Sequence, residues 1–188
     1  MASLTGPRLL LILAVVLFSL LAISQTSESS CVTQPISRKE LNAAIAQPAT
    51  PFAENVIQDQ QLTVDNDIPR KVEEVLGQVV ACANAGEPLR VWSLYSDLYL
   101  SRLFQIHGPF TDEQYQSYAR PQPSGPGEGM QLERIESMRQ SQDGLVVAQV
   151  VTSYPSVPMP KRLLFRFVVE GDRVEIEEVT GEISFSLP

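Results

Sequence analysis

Residues 82–104 read "CANAGEPLRVWSLYSDLYLSRLF", and the way this stretch folds decides how the rest of the chain packs. Just ahead of it, in "DNDIPRKVEEVLGQVVACANAG", Val72, Val75, Leu76, Val79, Val80 and Ala83 recur at helical spacing. Asp67 is placed to cap that helix and Pro69 falls in its first turn, where a missing N–H does no harm. Gly86 stops it. A second helix is expected to start near Pro88 and run until "HGPF" breaks the pattern. At about 100° per residue, Trp92, Tyr95, Tyr99, Leu103 and Ile106 share one face of it. Val91, Leu94 and Leu98 widen that face, and Leu100 and Phe104 flank the far side. Ser93, Asp97, Ser101 and Gln105 form a narrow polar strip. A helix this apolar is expected to be enclosed by other elements, with Asp97 on the strip and away from the aromatic residues.

Beyond this pair, "TDEQYQSYA" reads as a short helix with Thr111 and Gln114 at capping-box spacing. "RPQPSGPGEG" reads as a long, mobile Pro/Gly loop. After Met130 the period falls to two. "QLERIESMRQ" alternates imperfectly, with Leu132, Ile135 and Met138 as its apolar members. Asp143-Gly144 supplies a hairpin turn into the nearly continuous apolar strand "LVVAQVVTSY". "PSVPMP" is a rigid connector, and "KRLLFRFVVE" places Leu163, Phe165, Phe167 and Val169 on one face. Gly171-Asp172 turns the chain into a last strand, "RVEIEEVTGEISFS". Helices followed by an antiparallel meander make an α+β fold with one layer of helix on sheet.

The N-terminus is read apart from this domain. An uncharged run, "LLLILAVVLFSLLAI", follows Arg8 and is short for a bilayer span. Residues 1–24 are expected to be a signal peptide cleaved before Gln25, or else an uncleaved membrane anchor, and either places the chain outside the cytoplasm. Residues 25–66, rich in Ser, Thr, Gln and Pro, read as an arm or linker in which "RKELNAAIA" forms one or two helical turns, and residues 67–188 form the domain. Cys31 and Cys82 are the chain's two cysteines. In an oxidising compartment they are expected to pair and pin the arm to the first long helix; the alternative is two free thiols, with Cys82 buried. One histidine and two cysteines fall short of a structural zinc site, so no metal is expected.

The sequence carries 14 basic and 22 acidic side chains, a formal net charge of -8, which disfavours nucleic acid as a partner. No phosphate loop, dinucleotide turn, zincin motif or nucleophile elbow occurs, so no cofactor is expected.

The segments "ACANAGEPLRVWSLYSDLYLSRL" and "LLFRFVVEGDRVEIEEV" resemble the helix-stop-helix junction and final hairpin of the nuclear transport factor 2-like superfamily, in its SnoaL-like branch. The resemblance spans Ile68 to Leu187. It departs from the pattern at Glu87, where an aspartate cap is usual, and at Val174, where a tryptophan often packs. It implies a cone-shaped α+β barrel, in which a curved sheet wraps a long helix and often encloses an apolar pocket. Members include isomerases, cyclases and dehydratases as well as binding modules.

On that scaffold the expected function is an exported, non-catalytic domain that binds a small apolar ligand or serves as an envelope interaction module. Trp92, Tyr95, Tyr99, Leu103, Phe165 and Phe167 would line the site. The alternative is a cofactor-free isomerase or cyclase, with His107 or Asp97 as base and Tyr95 or Tyr99 stabilising an enolate. Tyr115, Tyr118, Arg166 and Glu177 are further polar groups for such a site. A third reading is a structural domain with a filled core. Arg166 is expected on the outer sheet face beside Leu164 and Val168, paired with Glu177 or with a subunit neighbour, and that partly apolar face suggests a homodimer.

Overall fold

Among the residues described by the structure, a computed structural model covering 30–48, 67–141, 143–157 and 159–181, five helices precede four strands. Local chemistry sets the helix starts. Helix α1 (Arg38–Ile45) opens with a capping box: Ser37 Oγ accepts from the Glu40 N–H at 3.2 Å, and Glu40 accepts from the Ser37 N–H at 2.9 Å. Helix α2 spans Asp67–Asn84 and buries Val72, Leu76, Val79 and Cys82 along one stripe. It ends at Gly86, whose φ of +66° suits glycine and where an added Cβ would lie 1.9 Å from the Gln122 carbonyl oxygen. Helix α5 (Asp112–Tyr118) carries the Thr111/Gln114 capping box.

Residues 88–104 do not form the single helix that their wheel suggests. They split into α3 (Pro88–Trp92) and α4 (Asp97–Phe104). The cause is a long-range competitor for the backbone. Leu94 O accepts from the Ile176 N–H at 2.9 Å, and the Ser96 N–H donates to Ile176 O at 2.9 Å. These bonds form a parallel bridge at Tyr95 in place of a continuing helix. Ser96 then restarts the helix, its hydroxyl accepting from the Tyr99 N–H at 3.1 Å. The break re-aims the wheel. Trp92, Tyr95 and Tyr99 stay buried, but Leu103 is 39% exposed and Ile106 82%, while Ser101 from the supposed polar strip is buried.

The sheet is an open antiparallel meander ordered β1 (Gln131–Gln140), β2 (Val146–Ser153), β3 (Lys161–Glu170), β4 (Arg173–Thr180). Strands β1 and β4 do not pair. This corrects the cone-shaped barrel: the sheet neither closes nor wraps a helix, and four strands are too few to close around a packed interior. Strand β1 has an unusual register. Leu132, Ile135 and Met138 are spaced by three, yet they pair with Thr152, Val150 and Ala148, all on one face of β2. Two register shifts, at Glu133 and Glu136, absorb the mismatch as β-bulges.

On β3, Leu163, Phe165 and Phe167 point into the core with Val146, Ala148, Val150 and Ile176. Burying each of the larger of these side chains contributes about 1.5–3 kcal/mol. On the opposite face Val147 lies between Arg139 and Arg166, and Val151 between Arg134 and Arg162. Both valines are under 5% exposed, as expected when arginine stems lie over apolar surface. Arg166 is on this outer face, but its partners are Glu178 at 3.3 Å and Asp143 at 3.2 Å, not Glu177.

The Cys31–Cys82 disulfide is formed, with Cα atoms 4.7 Å apart. Residues 30–48 pack against the domain. Leu41, Ala44 and Ile45 join its core, and the Ile36 N–H donates to Leu89 O at 3.0 Å. The loop after α5, expected to be mobile, is docked on the end of α2: the Gln122 N–H donates to Gly86 O at 2.9 Å and the Ser124 N–H to Asn84 O at 3.0 Å. The leader at 1–24, the linker residues 49–66 and the end of the last strand beyond Gly181 lie outside the described residues. No helix among the described residues is long and apolar enough to cross a membrane.

Candidate functional site

Between the α3–α4 break, helix α5 and the end of β4 lies an open groove of about 380 Å³. Trp92 at the end of α3, Tyr95 in the break, and Tyr99 and Phe104 on α4 form its floor, and Tyr118 closes one side. The rings interlock edge to face. Trp92 lies 4.8 Å from Phe104 and 5.0 Å from Tyr118, and Tyr95 lies 5.0 Å from Tyr99, centroid to centroid. Glu87, His107, Arg120 and Gln122 stand along the rim, and Val179 and Gly181 form the wall at the end of β4.

The electrostatics of the rim are one-sided. Glu87 is paired with Arg90 at 2.8 Å. The exposed side chains of Arg120 and His107 make no hydrogen bond or ion pair with a described residue. In the floor, burial pushes the Tyr99 phenol up to about 12, against a smaller opposing effect of a hydrogen bond with the Val179 backbone. Burial raises the Tyr95 phenol further, and the neighbouring Tyr99 adds to that. Both phenols therefore stay neutral and present polar edges on an apolar floor.

The wall owes its shape to a second device. The β3–β4 register shifts between Arg166 and Phe167, so that Arg166 pairs with Glu178 and Phe167 with Ile176. Glu177 is the extra residue of this bulge. It turns toward α4, where Ser96 Oγ donates to it at 2.5 Å and Arg102 lies 3.5 Å away. Ser96 thus caps α4 and ties it to β4 at once.

Of the expected ligand-lining residues, Trp92, Tyr95, Tyr99 and Leu103 line the groove. Phe165 and Phe167 do not: they stack on each other within the core, 6.0 Å apart. The pocket they were expected to line, between sheet and helices, is filled down to about 10 Å³. This overturns the closed apolar pocket for a small ligand. An open groove lies beside that filled core.

The isomerase or cyclase arrangement is also corrected. Asp97 is exposed at the first turn of α4, outside the groove, and accepts from Gln47 Nε2 at 3.0 Å. His107 is exposed on the rim. Neither stands with Tyr95 and Tyr99 in an enclosed, water-excluding cavity, as that chemistry requires. No group of three metal-ligating side chains occurs among the described residues.

Tyr118 was named from the sequence as a polar group for a site, whereas Arg120, Gln122 and Gly181 belong to the groove without having been singled out there. They reach it through the docking of the Pro/Gly loop on Gly86 and through the end of β4, and neither event leaves a local sequence signal. No protein-family model, no curated protein and no solved structure matches this chain.

Proposed function

We propose that this chain is a peptide-recognition domain. Its open groove takes an extended polypeptide segment, with apolar side chains on the aromatic floor and an acidic group at Arg120 and His107. The observation that supports it is the pairing of an aromatic floor with a rim on which the Arg120 and His107 side chains have no described hydrogen-bond or ion-pair partner. Aromatic grooves with polar edges suit extended peptides, because rings supply contact area and phenol edges supply hydrogen bonds. An open trough also admits a main chain passing through it, which a closed pocket does not.

Trp92 is the chain's single tryptophan and lies in the groove floor, so its emission reports occupancy. Titration with a short peptide of one acidic residue followed by alternating apolar residues should give a saturable change in that emission. Exchanging the acid for lysine, or making Arg120→Glu, should weaken binding about tenfold, the scale of one charge-assisted hydrogen bond. Equal binding of the acidic and lysine peptides, or no saturable change with either, would overturn the proposal.

A further inference from the structure

We infer that the β4 wall of the groove is a docking edge: an extended peptide adds to β4 as a parallel strand, one of its residues hydrogen-bonding to the Val179 C=O and the Gly181 N–H. This rests on the reading of the groove as a peptide site and names how that site holds its ligand's main chain.

The sheet register decides which main-chain groups of β4 face the groove. The Ile176 N–H and C=O bond to Leu94 and Ser96, so they point away from β3, and Ile176 and Phe167 form a non-hydrogen-bonded pair. Such pairs alternate along β3, so Arg166 and Leu164 bond to β4 and Phe165 does not. Val179, opposite Phe165, therefore turns its main chain toward the groove it lines. The Gly181 N–H does the same, because in a planar trans peptide it points opposite to the Thr180 C=O, which faces Leu164. Tyr99 agrees with this assignment. Its hydrogen bond with the Val179 backbone lowers the phenol pKa, so the Val179 N–H is the donor and the phenol oxygen accepts. The Val179 C=O and the Gly181 N–H remain, and neither has a hydrogen-bond partner among the described residues.

An acceptor on Val179 and a donor on Gly181 are the two groups with which a parallel strand holds the residue opposite Thr180. An antiparallel strand needs the Val179 N–H as well, and Tyr99 occupies it. The same edge already carries one parallel segment, Leu94–Ser96 at Ile176, which leaves it as α4 begins. Side chains alternate along a strand, and Val179 packs with Phe165 on the core side of the sheet. The peptide residues before and after the anchored one therefore face the aromatic floor, while the anchored residue points to the opposite side with Thr180. Arg120 and His107 on the rim complement an acid on the same peptide.

The experiment titrates the full chain with a peptide of one acidic residue followed by apolar residues alternating with serine, and with versions N-methylated at one position each, read by Trp92 emission. N-methylation at one of the serines should weaken binding about tenfold, the scale of one lost hydrogen bond, and at an apolar residue by less than about twofold. In NMR, saturating unmethylated peptide should slow hydrogen exchange of the Gly181 amide by about tenfold or more. A nitroxide on the peptide's N-terminus should broaden the Tyr99 amide more than one on its C-terminus. No difference between serine and apolar positions, or unchanged Gly181 exchange with peptide bound, would overturn the edge pairing and leave the peptide site intact. A reversed nitroxide pattern would overturn the parallel direction. No saturable binding of the unmethylated peptide would overturn both the edge and the site.

Discussion

Tyr95 shows how a single residue is constrained by its place between two layers. It is 5% exposed, touches the filled core on one side and the groove on the other, and makes no side-chain hydrogen bond with a described residue. Burial raises its phenol pKa, and raises that of Tyr99 to about 12. In both, the folded value lies above the unfolded value near 10. Between the two values the folded chain holds more protons than the unfolded chain, so stability is full below the unfolded pKa and is lost as pH rises through the window. Urea denaturation should therefore show a progressive loss from about pH 10 upward. Tyr95→Phe should be nearly neutral at about pH 8 and lose less stability than the parent at about pH 11, since it removes one group that resists ionisation. Equal slopes for parent and variant would show that Tyr95 ionises freely in the folded state. The sequence placed Tyr95 and Tyr99 on a buried face, and they are buried. It could not show that the same burial puts both in the floor of a groove.

At the scale of elements, the interruption between α3 and α4 matters most, and Ser96 is its hinge. Ser96→Ala removes an N-cap, which costs about 1 kcal/mol. It also takes the hydroxyl from the half-buried Glu177 carboxylate, so a total loss of about 2 kcal/mol is expected. Ser96→Thr keeps both bonds and should recover most of that. Chemical denaturation of the two variants measures the difference; if alanine and threonine were equally tolerated, the Ser96–Glu177 link would carry no weight. The break was only partly legible. Ser96 followed by Asp97 is a helix-start signal, but the apolar residues on either side continue one helical wheel without a gap. What decides against one helix is the edge of β4 at Ile176, eighty residues away in sequence, and no local pattern records it. The capping boxes of α1 and α5 and the turns at Gly144 and Gly171 depend only on neighbouring residues and were readable. The bulges of β1 lie between these cases. The three-residue spacing of Leu132, Ile135 and Met138 already signalled an irregular strand, and the structure shows how two extra residues reconcile it with the period of β2.

For the whole molecule, an open four-stranded sheet leaves two edges and one face to protect. The bulges with Glu133 and Glu136 blunt the β1 edge, and Leu94–Ser96 covers part of the β4 edge. Arginines laced to carboxylates cover the outer face. What remains is to hold the N-terminal arm, and the disulfide does this by closing a loop of 51 residues onto α2. In the chain-entropy account a loop of that length stabilises the fold by about 4 kcal/mol. Reduction should therefore lower the urea midpoint by the equivalent of about 4 kcal/mol, at an unchanged slope if the unfolded chain stays equally expanded. The effect should reach the groove. The arm holds α3 through the Ile36 N–H on Leu89 O and through Arg90 Nη1 on Thr33 O at 2.6 Å, and Trp92 ends that helix. Trp92 emission in the folded baseline should consequently shift on reduction, before any unfolding. A midpoint unmoved by reductant would mean that α1 and its contacts hold the arm unaided. A moved midpoint with unchanged Trp92 emission would confine the bridge to stability and separate it from the groove.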